Sequence, residues 1–569
     1  MQKGDKINNL HIETMAAEGK TVAKVDGMVI FLQGGAPGDT VEAEVTKIKS
    51  NFLEGRVTAI QKISPHRADP FCIHFGICGG CSWQHINYET QLFYKQKQVV
   101  DNLERIGGLT LPPVNPIIPS RKTKNYRNRL DFTFSANRWL TKEEMNSRRV
   151  DAGFTPTLSG GEGEGRAKGA DRPAPLNAIP VGGESSALSS GEGRSEAIAG
   201  KGRPTHRSFS VAGDDAIPAE PALGFHLPRM YDKVFDVKEC HLQPDPSNAI
   251  RLAVKQTAID NNIDFFDLRK QIGFLRSLTI RTANSRLPRQ VGGEVMVILQ
   301  VAYEKMEWIR RIIETLSEKF PQITSLYYVI NGKRNDTFGD LEMICAKGNH
   351  YITETMPKPE RGGILPLFMH GEGPACPPKL QRRWGVRLQF RVGPKSFYQT
   401  NSDQAYELYK VAWTMADLKG DELVYDLYTG TGTIANFVAG NAKKVIGLEY
   451  VAAAIEDARV NSRINNIGNT EFYAGDIKDL LNESFLAQHG RPDTIITDPP
   501  RVGMHEDVVK MLLQASPKRI VYVSCNPATQ ARDLKLLSEK YAITSIQPVD
   551  MFPQTMHVEN VVRLDRIIV

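Results

Sequence analysis

Apolar and polar positions alternate with a period of two over residues 1–62, in short runs broken by glycine. Thr21-Val22-Ala23-Lys24-Val25 and Val41-Glu42-Ala43-Glu44-Val45 are two such runs. They predict a small antiparallel β-barrel of OB-like type, with turns at Gly27 and at Gly34-Gly35-Ala36-Pro37-Gly38. Lys47, Lys49, Lys62 and Arg67 tilt the barrel toward nucleic acid. Over 89–106 the apolar period becomes helical, and the pattern stops at Gly107-Gly108. This helix is a candidate to pack on the C-terminal part of the chain. From Arg121 to Phe134, five cations are interleaved with Tyr126, Phe132 and Phe134. A strand with that face can grip phosphates and stack bases, with a solvated edge strand as the plain alternative.

The patterning then lapses. Residues about 155–221 are rich in Gly, Ala, Ser, Pro and Glu and carry no apolar period, so they predict a flexible surface insertion. Helices (247–261, 306–319) and strands (278–282, 294–303, 325–330) follow in a central α/β segment. Beyond Val386 the alternation becomes regular. Strands at 422–427, 444–448, 470–473, 493–497 and 519–523 are separated by helical patterns, which predicts a doubly wound parallel sheet. Three domains result: 1–62, 63–360 and 380–569.

The composition adds bounds. The chain has 569 residues, 41% hydrophobic and 24% charged, with a formal net charge of +6. That balance permits an RNA partner without demanding one. No apolar run approaches a membrane span and no secretory segment opens the chain, so a cytoplasmic enzyme without a membrane partner is expected. The seven cysteines (Cys72, Cys78, Cys81, Cys240, Cys345, Cys376, Cys525) are an odd number in a long chain, which argues against a disulfide scaffold. Cys72, Cys78 and Cys81, the last two flanking Gly79-Gly80, predict a metal loop, with Cys240 the nearest remaining thiol in sequence. Spacing leaves zinc and an iron–sulfur cluster equally open, with unliganded thiols as the plain alternative.

The chemistry gathers at predicted strand ends. Cys525 in Ser524-Cys525-Asn526-Pro527 follows one strand, because Asn-Pro forces a turn. Asp498-Pro499-Pro500-Arg501 follows another. Gly430-Thr431-Gly432 follows a third and opens a helix, and Glu449 stands 19 positions later, where an acidic residue takes ribose hydroxyls. Asp476 is placed to hold an adenine amino group. Carboxylates at 426, 449, 476 and 498 suit a sulfonium donor better than a dinucleotide. Asp-Pro-Pro followed by an aromatic ring would suit an exocyclic amine, but here Arg501 follows, and an amine needs no thiol. A thiol beside a methyl donor points to a pyrimidine carbon. Thiolate addition at C6 makes C5 of uracil nucleophilic, and a base must then remove the C5 proton. Glu559 is the candidate base and His557 its competitor.

Taken with Phe397-Tyr398-Gln399-Thr400-Asn401 and Met551-Phe552-Pro553-Gln554-Thr555-Met556-His557-Val558-Glu559, these motifs resemble the RNA uracil-C5 methyltransferase family. The closest likeness is to the 23S rRNA enzymes that carry a TRAM domain and an iron–sulfur cluster. The resemblance covers nearly the whole chain apart from the insertion. It implies a C-terminal Rossmann-like, S-adenosylmethionine-dependent catalytic domain, an N-terminal TRAM barrel and a central α/β iron–sulfur domain. It implies that Cys525 is the nucleophile and Glu559 the base. Gln399, Tyr428, Thr433, Glu449, Asp476 and Asp498 would contact S-adenosylmethionine, and Cys72, Cys78, Cys81 and Cys240 would hold a [4Fe–4S] cluster. The expected protein is a monomer. Related tRNA enzymes lack barrel and cluster, which favours 23S rRNA over tRNA as substrate. Thr429 departs from the family, which often has Cys there. The alternatives are a tRNA uridine-C5 methyltransferase, a non-catalytic RNA-binding or assembly factor, and a Rossmann oxidoreductase.

Overall fold

The computed structural model describes residues 1–16, 19–141, 144, 220–228, 230–284, 293–359 and 387–568. The compositionally biased stretch at about 155–221 lies outside the described residues, apart from Glu220 and Pro221, and so does Cys376. No helix among the described residues is long and apolar enough to cross a membrane.

The N-terminal alternation closes into a five-stranded barrel, with strands Lys6–Met15, Thr21–Val25, Met28–Gln33, Phe52–Lys62 and Thr40–Ile48 in that spatial order. Its inward positions, among them Ile12, Ala23, Ile30, Leu32, Val41 and Ala43, are fully buried. Period-two patterning produces this because successive side chains face opposite sides of a strand. Arg67 is tied into the barrel itself. It forms an ion pair with the fully buried Asp39 at 2.8 Å and so fastens the barrel's exit.

The central segment is a mixed seven-stranded sheet. Its strands run Ile344–Gly348, Ile323–Ile330, Val295–Val301, Leu275–Thr282, Arg129–Ser135, Ala222–Leu227 and Met230–Asp236. Helices Ser247–Asp260 and Met306–Lys319 pack on it. The expected base-stacking face at 121–134 is corrected here. The strand begins only at Arg129, Phe132 and Phe134 are 0% exposed, and the Tyr126 hydroxyl donates to the Pro553 carbonyl at 3.0 Å. Those rings are core, because every second residue of this strand faces the helices that cover the sheet.

The C-terminal sheet has strand order Thr470–Ala474, Lys444–Glu449, Leu423–Leu427, Thr494–Thr497, Arg519–Ser524, Glu559–Arg566, Tyr541–Val549. The first five strands are parallel, as their near-continuous apolar runs require. The last two depart from the doubly wound expectation. Strand Glu559–Arg566 inserts antiparallel between Arg519–Ser524 and Tyr541–Val549, which puts Glu559 beside the end of the Cys525 strand. Helix Tyr88–Arg105 buries Val99 and Leu103 in the core of this domain, beside Leu534 and Leu537 of helix Pro527–Leu537. Arg281 of the central sheet donates to the carbonyls of Gly393 and Ser396 at 2.8 and 2.6 Å, tying that sheet to the segment before Gln399.

Candidate active site

The five parallel strands end on one side of the C-terminal sheet, and the crevice beyond them is built from the turns that follow. At the first turn, Gly430 and Gly432 have φ of +54° and +73°, and Tyr428 has +62°. Gly432 must remain glycine on space as well, since a Cβ there would stand 2.9 Å from that of Ala458. Glu449 accepts from the Gly430 N–H at 3.1 Å and the Val451 N–H at 3.0 Å. Its carboxylate is thus aimed at the glycine turn, with a lone pair left on each oxygen. Thr433 is buried as the first residue of helix Thr433–Val438. Gln399 is buried, and its carbonyl accepts from Asn128 at 2.9 Å. Asp476 follows the neighbouring strand end, where the Gly475 N–H donates to the Glu449 carbonyl at 2.9 Å, and its charge acts on Tyr428 together with that of Glu449. It caps the short helix Ile477–Leu480, and its exposed carboxylate is paired with Lys478 at 2.7 Å.

Asp426 lies under the turn, with no exposure. One oxygen accepts from Thr429 at 2.5 Å and from the Ala435 N–H at 3.0 Å. The other is buried with no hydrogen-bond partner. Burial pushes this carboxyl up to about 7, despite the two bonds that oppose the shift. Thr429 thus serves Asp426, a task for a small donor. Burial, with the charge of Asp426 adding to it, likewise lifts Asp498 to about 7, although residue 498 keeps part of its surface at the crevice.

Cys525 leaves the strand Arg519–Ser524, and Pro527 opens the next helix with Asn526 as its N-cap. The Asn526 amide and the Thr529 hydroxyl both donate to the Arg501 carbonyl, at 3.0 and 3.1 Å. These bonds lock the Asp-Pro-Pro-Arg turn to the cysteine turn. The thiol is partly exposed. Burial pushes it up to about 12, the charges of Glu559 and Asp498 push the same way, and Arg501 opposes them. Glu559 is only 3% exposed. Burial and Asp498 hold its carboxyl well above the ordinary range, again against Arg501. His557 moves the other way, down to about 4, because it is buried among the charges of Arg501, Lys95 and Arg127. A side chain that holds its proton so weakly is a poor base at neutral pH, whereas a buried carboxylate is a strong one. By basicity Glu559 is the stronger candidate of the two.

Sequence reading passed over two features of this site. One is Arg501 as the cation that opposes the carboxylates. The other is the orphaned oxygen of Asp426. A basic residue directly after Asp-Pro-Pro was the available signal for the first, and none existed for the second. A cavity of about 840 Å³ lies elsewhere, between Lys122–Asn128, Asn284 and Asp403, and is lined by none of the reacting candidates.

The four cysteines also converge. Cys78 and Cys240 pack against one apolar cluster formed by Leu227, Phe235 and Val237. Cys78 is raised to about 12 and Cys81 to about 11, chiefly by burial and further by the neighbouring thiols, Cys72 and Cys240 among them. Gly79 is needed for close approach, since a Cβ there would meet the His226 carbonyl at 3.2 Å. Among the described residues no three His, Cys, Asp or Glu side chains form a group able to hold a metal ion.

The strand order and the crevice with its glycine turn and carboxylates define a methyltransferase fold. A model of the tRNA (Uracil-5-)-methyltransferase family matches residues 382–567, and a TRAM domain model matches residues 6–58. A Bacteroides thetaiotaomicron protein described as an uncharacterized RNA methyltransferase is 46% identical, over 97% of this chain and 100% of its own length. A second, from Chlorobaculum tepidum, is 32% identical over 99% of this chain and 97% of its own. In three dimensions the chain resembles the tRNA (uracil-54, C5)-methyltransferase of Pyrococcus abyssi, solved with S-adenosyl-L-homocysteine. The TM-score is 0.61 at 24% identity, and 98% of this chain and 100% of that one are covered. The chain belongs to the RNA uracil-5-methyltransferase family.

Proposed function

We propose that this enzyme moves a methyl group from S-adenosylmethionine to C5 of a uridine in 23S rRNA, through a covalent bond between Cys525 and C6. The observation that carries the reading is the charge balance of the crevice. A thiol, a buried carboxyl raised far above its ordinary range and the orphaned oxygen of Asp426 share one site with Asp498 and Arg501. Such a site is short of positive charge, and a sulfonium fits it.

When bound, S-adenosylmethionine supplies an electrophilic methyl group. Gln399, Tyr428, Thr433, Glu449, Asp476 and Asp498 are the residues proposed to hold it, Asp476 after exchanging Lys478 for the ligand. Cys525 adds through its thiolate to C6, and the electron pair displaced from the C5–C6 double bond makes C5 nucleophilic. After methylation Glu559 takes the C5 proton. The C5–H pair re-forms the double bond, and the C6–S bond breaks with its electrons returning to sulfur. Arg501 offsets negative charge at Cys525 and Glu559 throughout.

The four thiols are proposed to hold a [4Fe–4S] cluster. The donor set fits, being soft, partly buried and mutually close. A single ion would need three donors around one point, whereas a four-iron cluster spreads its thiolates over four irons. Its proposed role is to shape the structure or position RNA. Protein purified without oxygen is expected to carry about four irons per chain and to lose them in Cys240→Ser. Stoichiometric zinc in their place would refute the cluster.

A tRNA substrate is the second reading. The expectation that tRNA enzymes lack the barrel and cluster region weighs less beside a protein named for tRNA that matches nearly the full length of this chain. Total RNA from a deletion strain, incubated with the enzyme and labelled donor, separates the two. Label is expected at 5-methyluridine in the large ribosomal RNA. Label confined to tRNA would overturn that choice, and no label in any RNA would overturn the reading itself.

A further inference from the structure

The segment that leads to Glu559 is held from outside its own domain. Lys95 of helix Tyr88–Arg105 and Asp550 are both 0% exposed. The ammonium donates to Asp550 Oδ1 at 2.6 Å and to the Phe552 carbonyl at 3.0 Å. The Tyr88 hydroxyl donates to Asp550 Oδ2 at 2.7 Å and accepts from the Ser120 N–H at 2.7 Å. The Phe552 N–H closes back on Asp550 Oδ1 at 3.1 Å. One helical turn away, Gln91 clasps Gln554 in both directions. It accepts from the Gln554 N–H at 2.9 Å and donates to its side-chain oxygen at 3.1 Å. Gln554 sits at φ +67°, and its carbonyl accepts from the N–H groups of Ser82 and Trp83, both at 3.0 Å, just after Cys81.

The stretch 550–558 has neither helix nor strand, so these bonds set its path. A buried ion pair is a poor stabiliser, because desolvation consumes most of its attraction. An apolar pair would hold the helix down as well. What the ion pair adds is direction, since a carboxylate with three donors around it has one orientation.

We propose that Lys95 is a positioning residue for the reaction: through Asp550 and the Phe552 carbonyl it fixes the loop that aims Glu559 at the C5 proton. The proposal rests on the reading of Glu559 given above. It places the step that Lys95 controls at proton removal and thiol release, after the covalent bond has formed.

The test uses the full chain with its RNA substrate and the variants Lys95→Met and Tyr88→Phe, with Glu559→Gln as reference. A misplacement near 1 Å costs about 10²-fold in rate, so Lys95→Met is expected to lower kcat by about that factor. KM for RNA and for the donor is expected to change less than twofold. The fraction of enzyme linked to RNA on denaturing gels is expected to rise at steady state. Tyr88→Phe, which removes one hydroxyl, is expected to shift kcat and adduct in the same direction by a smaller factor, and it decides the matter if Lys95→Met does not fold. Wild-type kcat in both variants overturns the proposal, and so does a lowered kcat without added adduct, which is what mere structural damage would produce. If Glu559→Gln also fails to trap RNA, the reading of the base falls and takes this proposal with it. If Glu559→Gln traps and the Lys95 and Tyr88 variants do not, only the positioning role is lost.

Discussion

Cys525→Ala is expected to abolish methyl transfer, by at least on the order of 10⁴-fold in kcat, while leaving the fold and RNA binding in place. The turn that carries residue 525 does not depend on its sulfur. Ser524 and Asn526 bond to each other, the Asn526 amide holds the Arg501 carbonyl, and Asn526 caps the helix that follows. Removing one sulfur from a partly exposed position therefore costs little stability, about 1 kcal/mol or less. The chemistry loses its nucleophile, and C5 of uracil has no other route to activation. The wild-type thiol already works against its surroundings. Raised to about 12, it is ionised in roughly one molecule in 10⁴ at pH 8. The thiolate fraction grows tenfold per pH unit below that value, so the wild-type rate of adduct formation is expected to climb with pH through the neutral range. Transfer of labelled methyl groups measures the variant, and a Cys525→Ala enzyme within tenfold of wild type would sink the nucleophile.

Glu559→Gln should stop the cycle one step later. Adduct formation and methylation need only Cys525 and the donor, so the variant should accumulate RNA bonded to residue 525 while turnover falls by about 10² to 10⁴. Stability is expected to move the other way. A carboxyl whose folded pKa lies above its unfolded value binds more protons when folded. The wild-type fold therefore loses stability as pH rises past the unfolded value, and neutral Gln escapes that loss. At pH 8 the variant should melt at a higher temperature than wild type, the usual exchange of stability for function at a buried base. An adduct-free gel would remove Glu559 from its role, and a lower melting temperature would show that burial does not strain its charge.

Much of this was legible before folding. The period-two runs of the barrel and the apolar runs of the parallel strands declared themselves because side-chain direction follows backbone period, and only one face or both faces of a sheet need be apolar. Asn526-Pro527, Asp498-Pro499-Pro500 and Gly430-Thr431-Gly432 marked the strand ends because each restricts the backbone locally. Lys95 was harder to see. It lies on one helical stripe with Gln91, Val99 and Leu103, and a lone lysine in an apolar stripe usually snorkels to water. Its partner Asp550 is 455 residues away, beyond the reach of any local pattern. The aromatic residues near 121–134 misled for the same reason, since alternation states that a face is apolar but not whether solvent or helices cover it.

The sequence by itself determined which elements form, where the strands stop and which reactive groups stand at those stops, because these depend on interactions within a few residues. Tertiary structure alone decided that strand Glu559–Arg566 inserts beside the cysteine strand, that burial and then the surrounding cations weaken the hold of His557 on its proton, and that Asp426 keeps an unpaired oxygen. Burial and charge act through space between segments hundreds of residues apart, and they exist only once the chain has folded.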